Sequence, residues 1–169
     1  MREALLKLVP RSYAISQVMG DGRGELFVFI DPMDEASRRL VSVLQQLPNA
    51  TIRYYLAPNG VQDSVPLTQR IWCAHNRGQA LLDVMLAERE PPPLPARCKV
   101  SVLSDVMLQV NESVMRSRPG FLTAKGLGVG VPGAEELSQA LFPYRPARGQ
   151  RIPLACGHYN EEGEPDCRR

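Results

Sequence analysis

Four cysteines have the side chains best suited to chemistry in this chain of 169 residues: Cys73, Cys98, Cys156 and Cys167. An even count suits two disulfides, although all three pairings remain possible from the sequence alone. No two of them have the Cys-x-x-Cys spacing that redox couples and many zinc sites use. The cysteines themselves leave structural disulfides, a redox couple and free thiols open as interpretations.

The stretch CGHYNEEGEPDC brings Cys156, His158 and Cys167 close together in sequence. Their spacing matches no common zinc pattern and no fourth ligand is evident, so we expect no metal. The sequence has no glycine-rich nucleotide-binding motif and no convincing Ser/His/Asp set, so we expect no cofactor either. Trp72 is predicted to lie in the core. His75 is predicted to end a helix, where a partial positive charge suits the helix dipole.

A corner between a strand and a helix lies within the stretch FVFIDPMDEASRRL, residues 27–40. The apolar run breaks at Asp31-Pro32, and a helix is predicted from about residue 34, with Asp34 or Asp31 as its cap. A helix N-terminus stabilises a thiolate, which makes such a corner a suitable place for a nucleophile. This corner carries no nucleophile and no metal-binding set, because its four positions are Met33, Asp34, Glu35 and Ala36.

The hydrophobic pattern predicts an α/β fold with the element order β-α-β-α-α-α-β-β-α. Strands are expected at 25–30 and 51–57 and in a hairpin over 118–133 that turns at Lys125-Gly126. Helices are expected at 34–47, over PLTQRIWCAHN and QALLDVMLAE with a break near Gly78, over 100–115, and over AEELSQALF. Because a helix joins the first two strands, they should be parallel, with a right-handed crossover. We therefore expect a central sheet of about four strands with helices on both faces.

The length indicates one domain, which is enough to bury about two-thirds of the surface of the unfolded chain. We assign the domain to residues 23–143, with a helical insertion at about 62–116. Residues 1–22 are predicted to be a helical extension, with short helices over 2–9 and over SYAISQVM. Residues 144–169 are rich in Pro, Gly and charge, and are predicted to be a tail with little core of its own.

Charge and hydropathy exclude two classes of partner. The formal net charge is only +2 and the charges are well mixed, whereas binding to nucleic acid needs a clustered basic face. The small basic run of Arg145, Arg148 and Arg151 is interpreted as part of the solvated tail. No apolar run reaches the roughly 18 residues of a membrane span. The first residues do not form a signal peptide, so we expect either a cytoplasmic protein or a processed or trimmed chain.

Several stretches in this order resemble the thioredoxin-fold domain of the bacterial periplasmic disulfide isomerases, the family of DsbC and DsbG. They are GELFVFIDPMDEASRRL, ATIRYYLAP, IWCAHNRGQALLDVMLAEREPPPLPARCKV and SRPGFLTAKGLGVGVPGAEELSQAL, which together cover about residues 20–142. The family carries Cys-x-x-Cys at the corner, where this chain has residues 33–36. The thioether of Met33 cannot ionise or attack a disulfide. The resemblance therefore implies an inherited corner that has lost its redox chemistry.

The resemblance also implies a cis peptide bond between Arg118 and Pro119, at a step where the family usually has Thr-Pro. The peptide beside such a proline can bind extended backbone by strand-like hydrogen bonds. Arg118 adds a positive charge near Asp34 and Glu35. We therefore expect a salt bridge between them that closes the empty corner.

By the same resemblance, Cys73 pairs with Cys98 in a structural disulfide. Cys156 and Cys167 then pair in the tail. Two structural disulfides imply an oxidising compartment, hence the periplasm. The cytoplasm, with free thiols, remains the alternative.

These considerations predict a redox-inactive protein that binds other envelope proteins or unfolded polypeptide, as a chaperone-like or assembly factor. A secretion or conjugation system is the expected setting, by analogy. The alternative function is a thiol–disulfide oxidoreductase or isomerase that uses Cys156 and Cys167, or a partner. The isomerases have a separate N-terminal dimerisation domain for which this chain is too short, so we expect no dimer of that kind. The sequence does not indicate the oligomeric state.

Overall fold

A single mixed sheet of five strands organises the chain in a computed structural model that describes residue 7 and residues 9–58, 63–106 and 118–141. The strands are β1 (Ile15–Met19), β2 (Gly24–Ile30), β3 (Ala50–Leu56), β4 (Gly120–Thr123) and β5 (Gly126–Val129). The helices are α1 (Glu35–Leu44), α2 (Ser64–Trp72), α3 (Arg77–Ala87) and α4 (Ala134–Leu141), and residues 101–106 are also helical. A 3-10 turn at Arg11–Tyr13 precedes β1. The strand order across the sheet is β1-β3-β2-β4-β5.

The two central strands form because they are nearly continuous apolar runs rich in β-branched and aromatic residues. They pair in parallel, with Leu26 opposite Ile52 and Val28 opposite Tyr54. A run of this kind is stable only when both of its faces are covered. Clusters of buried residues lie on both faces, one around Leu26, Val28 and Ile52 and the other around Phe27, Phe29 and Tyr55. The predicted α/β class and the predicted parallel pair are confirmed.

The helix α1 packs its apolar stripe against this sheet. Leu40, Val41 and Leu44 are fully buried at the spacing expected of an amphipathic helix. The helix starts at Asp34, whose carboxylate accepts a hydrogen bond from the Ser37 backbone N–H at 2.7 Å. The helix ends at Leu44, three residues before the end predicted at residue 47.

A strand replaces the helix that the sequence predicts over SYAISQVM. Residues Ile15–Met19 form β1, which pairs antiparallel with β3, from Ile15 opposite Tyr54 to Met19 opposite Ala50. The prediction of a helix was wrong because local propensity is weak here, and pairing with the open edge of β3 satisfies the backbone of this segment. The segment assigned to a helical extension therefore contributes a fifth strand to the sheet. Of the helix predicted over 2–9, only residues 7 and 9 are described, and residue 7 is helical.

The remaining elements follow the predicted order. The hairpin of β4 and β5 forms with Thr123 opposite Gly126, and α2 and α3 cover one side of the sheet. The helix break lies before Gly78, since Asn76 caps α3 by accepting from the Gln79 N–H at 3.0 Å. The predicted helix over 100–115 is described only to residue 106, and residues 144–169 lie outside the described part of the chain.

Candidate functional site

The corner between β2 and α1 is built around Asp31, of which only 1% is exposed. Its carboxylate accepts a hydrogen bond from the Met33 N–H at 2.9 Å and another from the Ser64 hydroxyl at the start of α2. Its backbone carbonyl accepts from the Asp34 N–H at 3.0 Å, and its own N–H donates to Ser37 Oγ at 3.2 Å. A buried carboxylate needs such partners, because an unpaired one would be strongly destabilising. Asp31 thus fixes the shape of the corner.

Two side chains at the corner touch across the first turn of α1. Ser37 Oγ donates to the Asp34 carboxylate at 2.8 Å, and the same carboxylate oxygen accepts from the Ser37 N–H. Met33 points outward and is 40% exposed, and no hydrogen bond joins it to Ala36 in the described residues. The side chains that touch across the first turn are therefore those of residues 34 and 37. The four positions considered from the sequence were residues 33–36, which begin and end one residue earlier. Neither Asp nor Ser supplies a sulfur for disulfide exchange.

The Arg118–Pro119 peptide bond, at the start of β4, is cis. Pro119 is buried, and its carbonyl accepts from the Gly130 N–H at 2.9 Å. The half-buried Arg118 side chain donates from Nε to the Ala57 carbonyl at 2.9 Å. Burial lowers the pKa of the Arg118 guanidinium, and the negative charge of Asp31 opposes that lowering.

The salt bridge expected between Arg118 and the corner carboxylates is not formed among the described residues. Asp34 instead caps α1 through Ser37, and Glu35 is exposed. The carboxylate whose charge acts on Arg118 is Asp31, which precedes the corner. The expected salt bridge to Asp34 or Glu35 was therefore wrong, and the negative charge that acts on Arg118 is that of Asp31.

Three exposed apolar residues belong to segments at the same end of the sheet. Phe29 near the end of β2 pairs with Gly120, and Gly120 pairs with Val129. The turn after β2 and the segment after β5 therefore lie level with the cis-proline. Met33 there is 40% exposed, Val129 64% and Val131 37%. Grouped exposure of large apolar residues is typical of a binding surface.

An open groove of about 190 Å³ lies beside the corner. Its apolar lining includes Met33, Leu67 and Val84, and its charged lining includes Arg38 and Glu88, which form an ion pair at 3.2 Å. The Arg38 Nε also donates to the Pro32 carbonyl at 3.0 Å, so this arginine ties the turn to the helix. Met33 is thus both a lining residue of the groove and an exposed residue of the corner.

The cysteines that the structure describes are remote from this corner. Cys73 and Cys98 form a disulfide with a Cα–Cα distance of 5.8 Å. Cys73 directly follows the C-terminal end of α2. Ser64, which contacts Asp31, is the first residue of the same helix. A helix of nine residues separates the two ends by roughly 13 Å. The disulfide therefore fastens the helical segment and does not face the corner. Cys156, His158 and Cys167 lie outside the described residues.

The other residues considered in the sequence have structural surroundings. Trp72 is buried, with the Arg77 guanidinium carbon 3.9 Å from its ring centroid, and His75 is exposed just after α2. In the parts of the chain that are described, no group of three or more His, Cys, Asp or Glu residues could hold a metal ion. No described helix combines the length and the apolar character needed to cross a membrane.

Three residues of the corner were missed by the sequence analysis as site residues: Asp31 in its anchoring role, Ser37 and Ser64. Ser37 had a signal, because it stands three residues after a predicted cap, where side chains meet across the first turn. Ser64 had none, since it lies 33 residues from Asp31 in sequence.

The arrangement of strands and helices around the corner defines the class of protein. A β-α-β unit, a cis-proline hairpin and a closing helix around one sheet form a thioredoxin-like fold. No family model matches the chain. A solved disulfide interchange protein from Neisseria gonorrhoeae superposes with a TM-score of 0.67 and 21% identity, over 78% of this chain and 96% of that one. A periplasmic thioredoxin-like protein from Salmonella enterica serovar Typhimurium superposes with a TM-score of 0.64 and 11% identity, over 85% and 96% of the two chains.

A sequence relative narrows the class. The chain is 30% identical over 135 residues to a probable thiol:disulfide interchange protein DsbC from Bordetella pertussis, which is 79% of this chain and 47% of the relative. The chain is therefore a thioredoxin-fold protein similar to DsbC-like thiol:disulfide interchange proteins, as the resemblance in the sequence predicted. The chain spans about half the length of this curated relative.

Proposed function

We propose that the protein works by binding polypeptide at the cis-proline end of its sheet, without thiol exchange at the corner. The observation that carries this proposal is the Asp34–Ser37 contact, which fills the start of α1 with oxygen where exchange would need sulfur. Disulfide exchange requires a thiolate, and neither side chain can provide one. The two described cysteines are joined to each other, at the far end of α2.

The binding surface we propose consists of Met33, Val129 and Val131 together with the backbone beside Arg118-Pro119. The three apolar side chains are exposed at one end of the sheet. An extended polypeptide would bury them and form strand-like hydrogen bonds near the cis-proline. The expected ligands are unfolded polypeptide or other envelope proteins, so the role is that of a chaperone-like or assembly factor.

The compartment we propose is the periplasm. The Cys73–Cys98 disulfide supports an oxidising environment, because disulfides persist there and are rare in the cytosol. The likeness to a periplasmic thioredoxin-like protein from Salmonella enterica supports the same compartment. A secretion or conjugation system is the setting that we propose for an assembly factor of this kind.

Binding of reduced, carboxymethylated α-lactalbumin, a permanently unfolded protein, tests this function. We expect Met33→Asp and Val129→Asp each to weaken binding about tenfold, because each places a charge on an apolar contact. Val18→Asp is the matched control. Val18 is 65% exposed and pairs with Thr51, at the opposite end of the sheet. Equal losses in all three variants, or no binding by the wild type, would contradict the proposal.

The second candidate function is a thiol–disulfide oxidoreductase that uses Cys156 and Cys167, or a partner. The name of the Bordetella pertussis relative, a probable thiol:disulfide interchange protein, favours it. An insulin-reduction assay separates the two candidates. Turnover by the wild type that is lost in Cys156→Ser would favour the oxidoreductase, whereas no turnover above the uncatalysed rate supports the binding function.

A further inference from the structure

Four segments of the chain meet at Asp31. The residue directly follows β2. Its carboxylate accepts from the Met33 N–H in the turn to α1 and from the Ser64 hydroxyl at the start of α2. The neighbouring Ile30 carbonyl accepts from the Ala57 N–H at 2.8 Å, just after β3. The fourth segment is the start of β4, which reaches the same place through Arg118.

Extending the register of β2 and β4 beyond its last pair places Arg118 level with Asp31. Phe29 of β2 lies opposite Gly120 of β4 in an antiparallel pair. Continuing that register by two residues sets Asp31 level with Arg118. The Arg118 Nε donates to the carbonyl of Ala57, the residue whose N–H is bound beside Asp31.

The charges of the two residues are complementary in a place with little water. Asp31 is 1% exposed and Arg118 is half-buried. The charge of Asp31 opposes the effect of burial on Arg118, which agrees with an attraction between them. Opposite charges attract more strongly in such surroundings than at an open surface.

We infer that Asp31 is a positioning residue for the polypeptide-binding end of the sheet and that it acts through Arg118. Its negative charge holds the guanidinium against Ala57, and the guanidinium in turn holds the peptide that precedes the cis-proline. This inference rests on the proposed function, since the positioned peptide is the one that would pair with an extended ligand.

A double-mutant cycle tests whether Asp31 acts through Arg118. The variants are Asp31→Asn, Arg118→Gln and the double variant, and the probe is reduced, carboxymethylated α-lactalbumin. The asparagine keeps the Oδ1 oxygen that accepts from Met33 and Ser64 and removes the negative charge. We expect each single variant to weaken binding on the order of tenfold, and the double variant to bind no more weakly than the weaker single variant. The matched control is Glu136→Gln, which makes the same exchange at an exposed position of α4.

The inference is overturned if the loss of affinity in the double variant equals the product of the two single losses. It is also overturned if Asp31→Asn binds as tightly as the wild type. If Asp31→Asn does not fold, Arg118→Lys decides, because lysine keeps a cation level with Asp31. Binding by Arg118→Lys close to wild type supports the inference, and a loss as large as that of Arg118→Gln overturns it.

A measurement without ligand separates this inference from the proposed function. In nitrogen-15 NMR, the Arg118 Nε–H that donates to Ala57 should exchange slowly with water in the wild type and much faster in Asp31→Asn. If the wild type binds no unfolded protein, the proposed function fails, and this exchange rate still tests the anchor. An unchanged exchange rate in Asp31→Asn overturns the inference, and a faster rate supports it.

Discussion

Asp34 and Ser37 stand one helical turn apart at the start of α1, with their side-chain oxygens 2.8 Å from each other. The contact has the sequence spacing of Cys-x-x-Cys and lies where a helix N-terminus would stabilise a thiolate. The start of α1 thus has two side chains in contact at that spacing, and their oxygens cap the helix. Whether this geometry supports disulfide chemistry can be tested by placing sulfur atoms at the two positions.

The double variant Asp34→Cys/Ser37→Cys should form a disulfide in air and reduce insulin in the presence of dithiothreitol. The two side chains already meet, so the short distance between Cβ atoms that a disulfide needs is available. The matched control is Met33→Cys/Ala36→Cys, which has the same spacing one residue earlier. We expect that control to show much less closure, as judged by thiol counting. Equal closure in both variants would contradict the assignment of positions 34 and 37.

The Cys73–Cys98 disulfide should contribute about 3.5 kcal/mol to the free energy of unfolding, on the chain-entropy estimate for a separation of 25 residues. The double variant Cys73→Ser/Cys98→Ser should lose most of this stability in urea denaturation. Because the disulfide lies at the far end of α2 from the corner, binding of unfolded protein at a temperature where the variant is folded should be unchanged. A loss of binding by the folded variant would contradict that separation of roles.

Acid should weaken one ion-pair network on the sheet. Hydrogen bonds from Arg11 at 2.7 and 2.8 Å, aided by Arg53 at 2.7 Å, lower the pKa of Glu25 to about 2, against an opposing effect of burial. A lowered pKa in the folded state means that the stabilisation is complete above the unfolded pKa near 4.5 and is lost as pH falls toward 2.

The difference in unfolding free energy between wild type and Glu25→Gln measures this effect. We expect it to be about 1–2 kcal/mol at pH 6, after allowing for solvent screening at a side chain that is 21% exposed. Most of the difference should be lost near pH 2, where about half of the Glu25 side chains are protonated in the folded state. A difference that stays constant from pH 6 to pH 2 would show that the charge of Glu25 is not what stabilises the sheet.

Much of the fold could be predicted from the sequence because local signals and tertiary packing agree. The strands β2 and β3 are long apolar runs that end in turn residues, and α1 has both a cap at Asp34 and a buried stripe. The hairpin follows from its glycine-rich turn, where Gly126 has a positive φ of 129°. Where several local signals support one structure, the prediction of that element is confirmed.

The failures arose where distant parts of the chain decide the structure. Ile15–Met19 forms a strand because it pairs with the edge of β3. The residues of the segment itself do not indicate that such an edge is available. A four-residue spacing at the corner fits two windows, residues 33–36 and residues 34–37, and the contact between Asp34 and Ser37 favours the second. The charge of Arg118 was assigned to Asp34 and Glu35, whereas the acid whose charge acts on it is Asp31. Extending the β2–β4 register two residues past its last pair places Asp31 level with Arg118.

Three hydrogen-bonded side chains attach β1 to the rest of the domain. The Tyr54 hydroxyl donates to Gln17 Oε1 at 2.8 Å and accepts from Gln45 Nε2 at 3.3 Å, and Gln17 Nε2 donates to Gln45 Oε1 at 2.7 Å. Burial raises the pKa of Tyr54, so the hydroxyl stays protonated and able to donate. This triad links β1 and β3 to the end of α1.

Removing that hydroxyl with Tyr54→Phe should lower the free energy of unfolding by about 1–2 kcal/mol, because it leaves part of Gln17 without its partner in a partly buried place. Hydrogen exchange should accelerate most in β1, since the strand lies at the edge of the sheet and loses a link to the helix. The control is Gln17→Met, which removes the partner. If the triad acts as one unit, the loss in the combined variant should be clearly smaller than the sum of the two single losses. Simple addition of the losses, with no local change in the exchange of β1, would mean that β1 is held by its pairing with β3 alone.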